Sequence, residues 1–216
     1  MTLVKICGIN DTVAFDTVVD AGADFVGFVF FPPSPRAVTP AQAAALSARS
    51  TGGPQRVGLF VNPDDAAIAD TLAYVRLDAL QLHNCTIDRR DEIAARFGVA
   101  VWQAVGVTTA SDLPATTHAD RLLLDAKAPA NATRPGGNAA VFDWSVLAGW
   151  QAPAPWMLAG GLTLDNVAAA IAATGADAVD LSSGVESAPG VKDPALIRAF
   201  IRAAKLVPSR SPLPAR

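Results

Sequence analysis

Histidine and cysteine are scarce in this chain of 216 residues, with two of each, and tyrosine occurs once. Cys7 and Cys85 have neither metal-ligand spacing nor the numbers of a disulfide framework, so both read as free thiols of a reducing compartment. No dinucleotide fingerprint and no metal triad is present, and the expectation is no cofactor and no metal. Runs of Lys/Arg are missing and the net charge is -3, which argues against a nucleic-acid surface. No apolar stretch approaches membrane-spanning length, and the opening MTLVKICGIN lacks a basic-then-apolar leader. A cytoplasmic protein is expected, with no membrane and no nucleic-acid partner. Charged residues make up only 17% against 51% hydrophobic, ample material for one large core.

What is present is a steady alternation of short apolar runs and Ala-rich stretches. Strands are expected near 3–8, 25–30, 57–61, 79–83, 99–104, 121–125, 156–159 and 178–182. Segments such as DTVAFDTVVDAG, PAQAAALSARS, DDAAIADTLAYV, LDNVAAAIAATG and PALIRAFIRAAK carry helical spacing between them. Thr39-Pro40, Asn62-Pro63 and Asp193-Pro194 have the form of a side-chain cap followed by proline at the first helical position. Gly22, Gly98 and Gly175 mark helix ends. GADFVGF and GADAVDL look like the same unit used twice. Eight strand–helix alternations argue for a parallel sheet with right-handed crossovers.

Parity along the strands separates a closed barrel from an open sheet. Val4 and Ile6, Leu80 and Leu82, Leu122 and Leu124, and Val179 and Leu181 form one apolar side. Opposite them stand Lys5 and Cys7, Gln81 and His83, Asp125, and Asp180 and Ser182. A parallel sheet covered on both faces is apolar on both. Polar side chains gathering at strand C-terminal ends fit an α/β fold of the single (β/α)8 TIM barrel type, whose sites lie at that mouth. The barrel domain is expected over residues 1–205, with a Pro/Ser/Arg-rich flexible tail over 206–216.

LAGGL at 158–162 and LSSGVE at 181–186 put Gly160, Gly161, Ser183 and Gly184 just past strands seven and eight. Glycine lets backbone N–H groups approach an anion, and barrels often hold a phosphate there. The plainer alternative is two tight turns. Cys7 is either a small buried hydrophobe or a base facing Asp125 as acid. A thiol of pKa about 8.5 needs help to ionise at neutral pH. Lys5, roughly 6–7 Å along the strand, is expected to favour the thiolate by at most roughly 2–3 kcal/mol. Asp125 reads as a loop cap or an acid whose pKa burial raises. His83 reads as a core histidine or a site group. Arg36, between stiffening prolines, is either a solvated charge or a fork for a carboxylate. Cys85 has no assigned role.

KICGI at 5–9, GFVFFPPSPRAVTP at 27–40, VGLFVNP at 57–63, LQLH at 80–83, FDW at 142–144, LAGGLTLDNV at 158–167 and VDLSSGVESAPGVKD at 179–193 together resemble phosphoribosylanthranilate isomerase. The match runs in order over about residues 3–204. The resemblance implies an Amadori rearrangement of N-(5-phosphoribosyl)anthranilate in tryptophan biosynthesis. It implies Cys7 as general base and Asp125 as general acid. It further implies Arg36 on the anthranilate carboxylate, His83 and Asp180 along the substrate, and Gly160, Gly161, Ser183 and Gly184 around the phosphate. The partner is then a small phosphosugar, handled by a monomer or homodimer. Asn84 replaces a glycine common after QLH, and GGNAAVFDW departs from a GGTG-like loop at Asn138 and Ala139.

The rivals are another phosphosugar barrel and a non-catalytic, thiol-responsive binding module. An indole-glycerol-phosphate synthase needs a lysine at a strand end, and Lys5 falls two residues short. A ribulose-phosphate epimerase typically needs metal-binding histidines, which two histidines do not supply. The binding module predicts that Cys7→Ser preserves function.

Overall fold

A computed structural model describes residues 1–128 and 141–207. Eight strands close into a parallel barrel in chain order. They are β1 (Leu3–Cys7), β2 (Phe25–Val29), β3 (Gln55–Val61), β4 (Ala79–His83), β5 (Ala100–Val107), β6 (Arg121–Ala126), β7 (Trp156–Leu158) and β8 (Ala178–Leu181). β8 returns to β1 with Lys5 opposite Asp180, and β1 meets β2 with Cys7 opposite Gly27.

Alternation then sorts the side chains as the sequence parity requires. Val4, Ile6, Leu80, Leu82, Leu122, Leu124, Val179 and Leu181 pack outward into the main core beneath the helices. Phe25, Val57, Ala79, Trp102, Leu123, Met157 and Ala178 form a second, separate core. Phe25 and Trp102 meet edge to face at 5.1 Å, and the Arg121 guanidinium lies over both rings. Leu123, two residues before Asp125 and on the same side of β6, thus belongs to the inner core.

The helices are α1 (Thr12–Asp20), α2 (Pro40–Ser47), α3 (Asp65–Tyr74), α4 (Ile87–Phe97), α5 (Val167–Thr174) and α6 (Pro194–Leu206). Thr39 caps α2 in a full capping box, with proline next, and Asp193 caps α6 by accepting from Ala195 N and Leu196 N, again with proline next. Asn62-Pro63 is a correction: Asp64 is the cap of α3, accepting from Ala67 N. Asn62 instead turns the chain with φ 43, its N–H donating to His83 O. Gly98 and Gly175 take the left-handed conformation at the ends of α4 and α5.

Among the described residues the regular strand–helix alternation is interrupted twice. Short 3₁₀ turns at Ala110–Asp112 and Trp144–Leu147 stand between β5 and β6 and between β6 and β7 among the described residues. The first connection, TTASDLPATTHAD, lacks an apolar stripe of helical period, so nothing there drives a helix onto the sheet. A further hairpin, β9 (Glu186–Ala188) with β10 (Val191–Lys192), follows β8 and was not expected. No helix among the described residues is long and apolar enough to cross a membrane. Asn138, Ala139 and residues 208–216 lie outside the described residues.

Candidate active site at the C-terminal mouth

Each inward polar side chain sits where its strand ends. Cys7 closes β1, His83 closes β4, Asp125 is the penultimate residue of β6, and Asp180 lies one residue before the end of β8. All four line one cavity of about 500 Å³ at the barrel mouth, together with Arg36, Gln81 and Ser182. Val29, Phe31, Leu59 and Val61 supply an apolar wall on the side of strands two and three. A concave, mainly apolar space with a few converging polar groups suits a small ligand.

The sulfur is crowded from the neighbouring strand. A Cβ on Gly27 would stand 2.8 Å from Cys7 Sγ and 3.1 Å from Lys5 Nζ. Only glycine opposite Cys7 leaves room for thiol and ammonium together. Lys5 is completely buried, and its Nζ donates to Asp180 Oδ1 at 2.7 Å. Burial pulls the Lys5 pKa down, yet Asp180 and Cys7 outweigh it and leave the ammonium above its ordinary value.

For Cys7 the balance goes the other way. Burial pushes the thiol pKa up, Lys5 pulls it down, and Asp180 adds to the upward push, with a net rise. Lys5 pulls the sulfur toward thiolate as expected, but desolvation outweighs that pull. The site holds a thiol beside a lysine–aspartate ion pair. His83 is pushed down to about 4 by burial and then by Lys5, so its ring is neutral at pH 7.

Arg36 is not a solvated loop charge, for it is buried and forked onto Glu186. Nε donates to Oε1 at 2.6 Å and Nη2 to Oε2 at 2.8 Å. This correction of the open fork leaves Nη1 for any incoming anion. Lys192 Nζ donates to Glu186 Oε1 at 2.8 Å, to Ser182 O at 2.8 Å and to Ser182 Oγ at 3.0 Å. Ser182 Oγ in turn donates to the Cys7 carbonyl at 2.9 Å. Burial raises the Glu186 carboxyl, but Arg36 and Lys192 overcome it and hold its pKa at about 2. Sequence reasoning missed Glu186, Lys192 and Gln81. The first two stood inside a quoted motif, yet charged letters in a short hairpin read as solvated until the hairpin folds over the mouth.

The glycine loops lie beside the cavity. Gly160 and Gly161 have φ 88 and 59, a left-handed backbone that favours glycine. A Cβ on Gly160 would sit 2.7 Å from Ala126 N and 3.0 Å from Asp125 Oδ1. A Cβ on Gly184 would overlap the Leu162 carbonyl, so the loops after β7 and β8 pack directly together. Ser183 opens a 3₁₀ turn that begins right after Ser182.

The family model described as N-(5′-phosphoribosyl)anthranilate (PRA) isomerase matches residues 4–203. A relative of that name from Paramagnetospirillum magneticum is 55% identical over 207 residues, covering 94% of this chain and 96% of the relative. Another from Paracoccus denitrificans is 56% identical over 203 residues, covering 92% and 94%. The crystal structure of phosphoribosyl anthranilate isomerase from Thermotoga maritima superposes with TM-score 0.82 at 38% identity, covering 95% of this chain and 99% of that one. A structure of the isomerase in complex with reduced 1-(o-carboxyphenylamino)-1-deoxyribulose 5-phosphate gives TM-score 0.80 at 36% identity, with coverage of 95% and 99%. With its closed barrel, its polar mouth and these matches along nearly its whole length, the chain belongs to the N-(5′-phosphoribosyl)anthranilate isomerase family.

Proposed function

We propose that this chain converts N-(5′-phosphoribosyl)anthranilate to 1-(2-carboxyphenylamino)-1-deoxyribulose 5-phosphate, an aldose-to-ketose isomerisation of tryptophan biosynthesis. The observation that carries the reading is a thiol and a carboxyl group from non-adjacent strands of the ring, Cys7 and Asp125, in one cavity. Asp125, in its protonated form, gives its proton to the furanose ring oxygen as the C1–O bond breaks, leaving a protonated Schiff base at C1 and a carboxylate on Asp125. The Cys7 thiolate takes the C2 proton, and its electron pair flows toward the iminium nitrogen to give an enolamine. Tautomerisation, with a proton returning at C1, yields the ketone. Burial makes the thiolate scarce but strongly basic, which suits removal of a carbon-bound proton.

The rest of the mouth holds the substrate still. The phosphate belongs with Gly160, Gly161, Ser183 and Gly184, where paired loops expose backbone N–H groups. The anthranilate carboxylate belongs at Nη1 of Arg36, with its ring on the apolar wall. His83 and Asp180 line the sugar between these anchors. Fixing both ends turns binding energy into orientation. Every assigned residue comes from one chain, so a monomer and a homodimer both present a whole site. The cytosol is the proposed compartment, where reducing conditions keep Cys7 unoxidised.

The test is turnover of freshly made substrate by Cys7→Ser and Asp125→Asn. Each variant is expected to fold and bind, and to lose on the order of 10²- to 10⁴-fold in kcat. A Cys7→Ser protein with native turnover would remove Cys7 as the base, and a native protein that binds substrate without turnover would leave the binding module.

A further inference from the structure

The floor of the cavity holds a polar group that no described residue satisfies. Gln81 is 1% exposed, and its carboxamide oxygen Oε1 has no hydrogen-bond partner among the described residues. Its other end is committed: Gln81 Nε2 lies 2.9 Å from His83 Nε2. An amide nitrogen only donates, so His83 Nε2 accepts and the ring proton sits on Nδ1. The neutral imidazole required for this is the form that burial enforces. The carboxamide is thus turned with its oxygen left over, in a residue that lines the cavity.

A buried carbonyl oxygen without a partner costs about 1–3 kcal/mol, and such groups persist where a ligand completes them. Leu59 and Leu123, which share the floor, offer no hydrogen. We propose that Gln81 binds substrate directly, with Oε1 accepting a hydrogen from the middle of the aminosugar: the bridging N–H or a neighbouring sugar hydroxyl. This rests on the proposed function, which puts the phosphate by β7 and β8 and the carboxylate at Arg36. The middle of the molecule then crosses the floor from which Gln81 rises. The sequence placed Gln81 on the inward face but assigned it nothing.

The experiment measures binding of the reduced product analogue, which is not turned over, to the native protein and to Gln81→Met. Methionine keeps the volume and removes both polar atoms. Affinity is expected to fall about tenfold, while thermal stability without ligand changes little, since the loss of one orphaned oxygen offsets the loss of the donor to His83 Nε2. Two further analogues, one methylated on the bridging nitrogen and one lacking the adjacent sugar hydroxyl, identify the hydrogen. One of them is expected to bind the native protein about tenfold more weakly, and Gln81→Met is expected to be blind to that change. If Gln81 acted only by orienting His83, Gln81→Met would remain sensitive to it, and the proposal would fall. Native-like affinity in Gln81→Met overturns it equally. Should that variant not fold, full affinity of the native protein for both analogues overturns it. A native protein that fails to bind the reduced analogue defeats the functional reading itself, a result distinct from either of these.

Discussion

Lys5 and Asp180 stand opposite each other on adjacent strands, and their buried side chains meet at 2.7 Å from Nζ to Oδ1. This pairing governs the nearby sulfur. Asp180 both raises the Cys7 pKa directly and occupies the cation that lowers it. Asp180→Asn leaves Cys7 as the remaining anionic partner of Lys5. In a Cys85→Ser background, the pH dependence of alkylation at Cys7 is expected to shift to lower pH. A shift upward, or none, refutes the coupling.

His83 contributes to the pH dependence of stability just below neutral pH. Its folded pKa is about 4 against an ordinary 6.5, so between these values the unfolded chain binds a proton that the folded chain refuses. That stability is complete above about pH 6.5 and is lost as pH falls toward 4, by at most about 3 kcal/mol. Urea midpoints for the native protein should fall across this window, and His83→Asn should flatten the fall.

Glu186 acts lower on the scale. Its folded pKa of about 2 lies below the ordinary 4.5, so its contribution is present above 4.5 and disappears as pH drops toward 2. At neutral pH, Glu186→Gln leaves Arg36 and Lys192 buried without their shared anion. A loss of about 3–5 kcal/mol is expected in denaturant unfolding. Substrate KM should rise as Arg36 loses its fixed orientation, while a substrate analogue without the aryl carboxylate should be indifferent. Equal loss for both ligands would detach Glu186 from carboxylate recognition.

Gly160→Ala tests the contact between the loop after β7 and Asp125, the proposed acid. With φ 88, an alanine there costs about 1–2 kcal/mol from backbone strain alone. Its Cβ also presses on Ala126 N and Asp125 Oδ1. Turnover should fall more than stability explains, with kcat affected beyond KM. An enzyme with native kcat would show that Asp125 does not feel this loop.

The sequence alone determined the strand order, the inward and outward faces, and which strands end in a polar residue at the mouth. Those follow from local rules, since alternation of period two and capping chemistry act within a few residues. Cys7, His83, Asp125 and Asp180 were legible because each ends an apolar run with a polar letter. Only the tertiary structure decided what those letters do to one another. Arg36 and Glu186 are 150 positions apart, and Lys5 and Asp180 are 175 apart. No local pattern reveals that a lysine is already paired or that a guanidinium fork is half filled. The thiol's upward shift comes from the loss of water around it, and burial of that kind exists only once the barrel has closed.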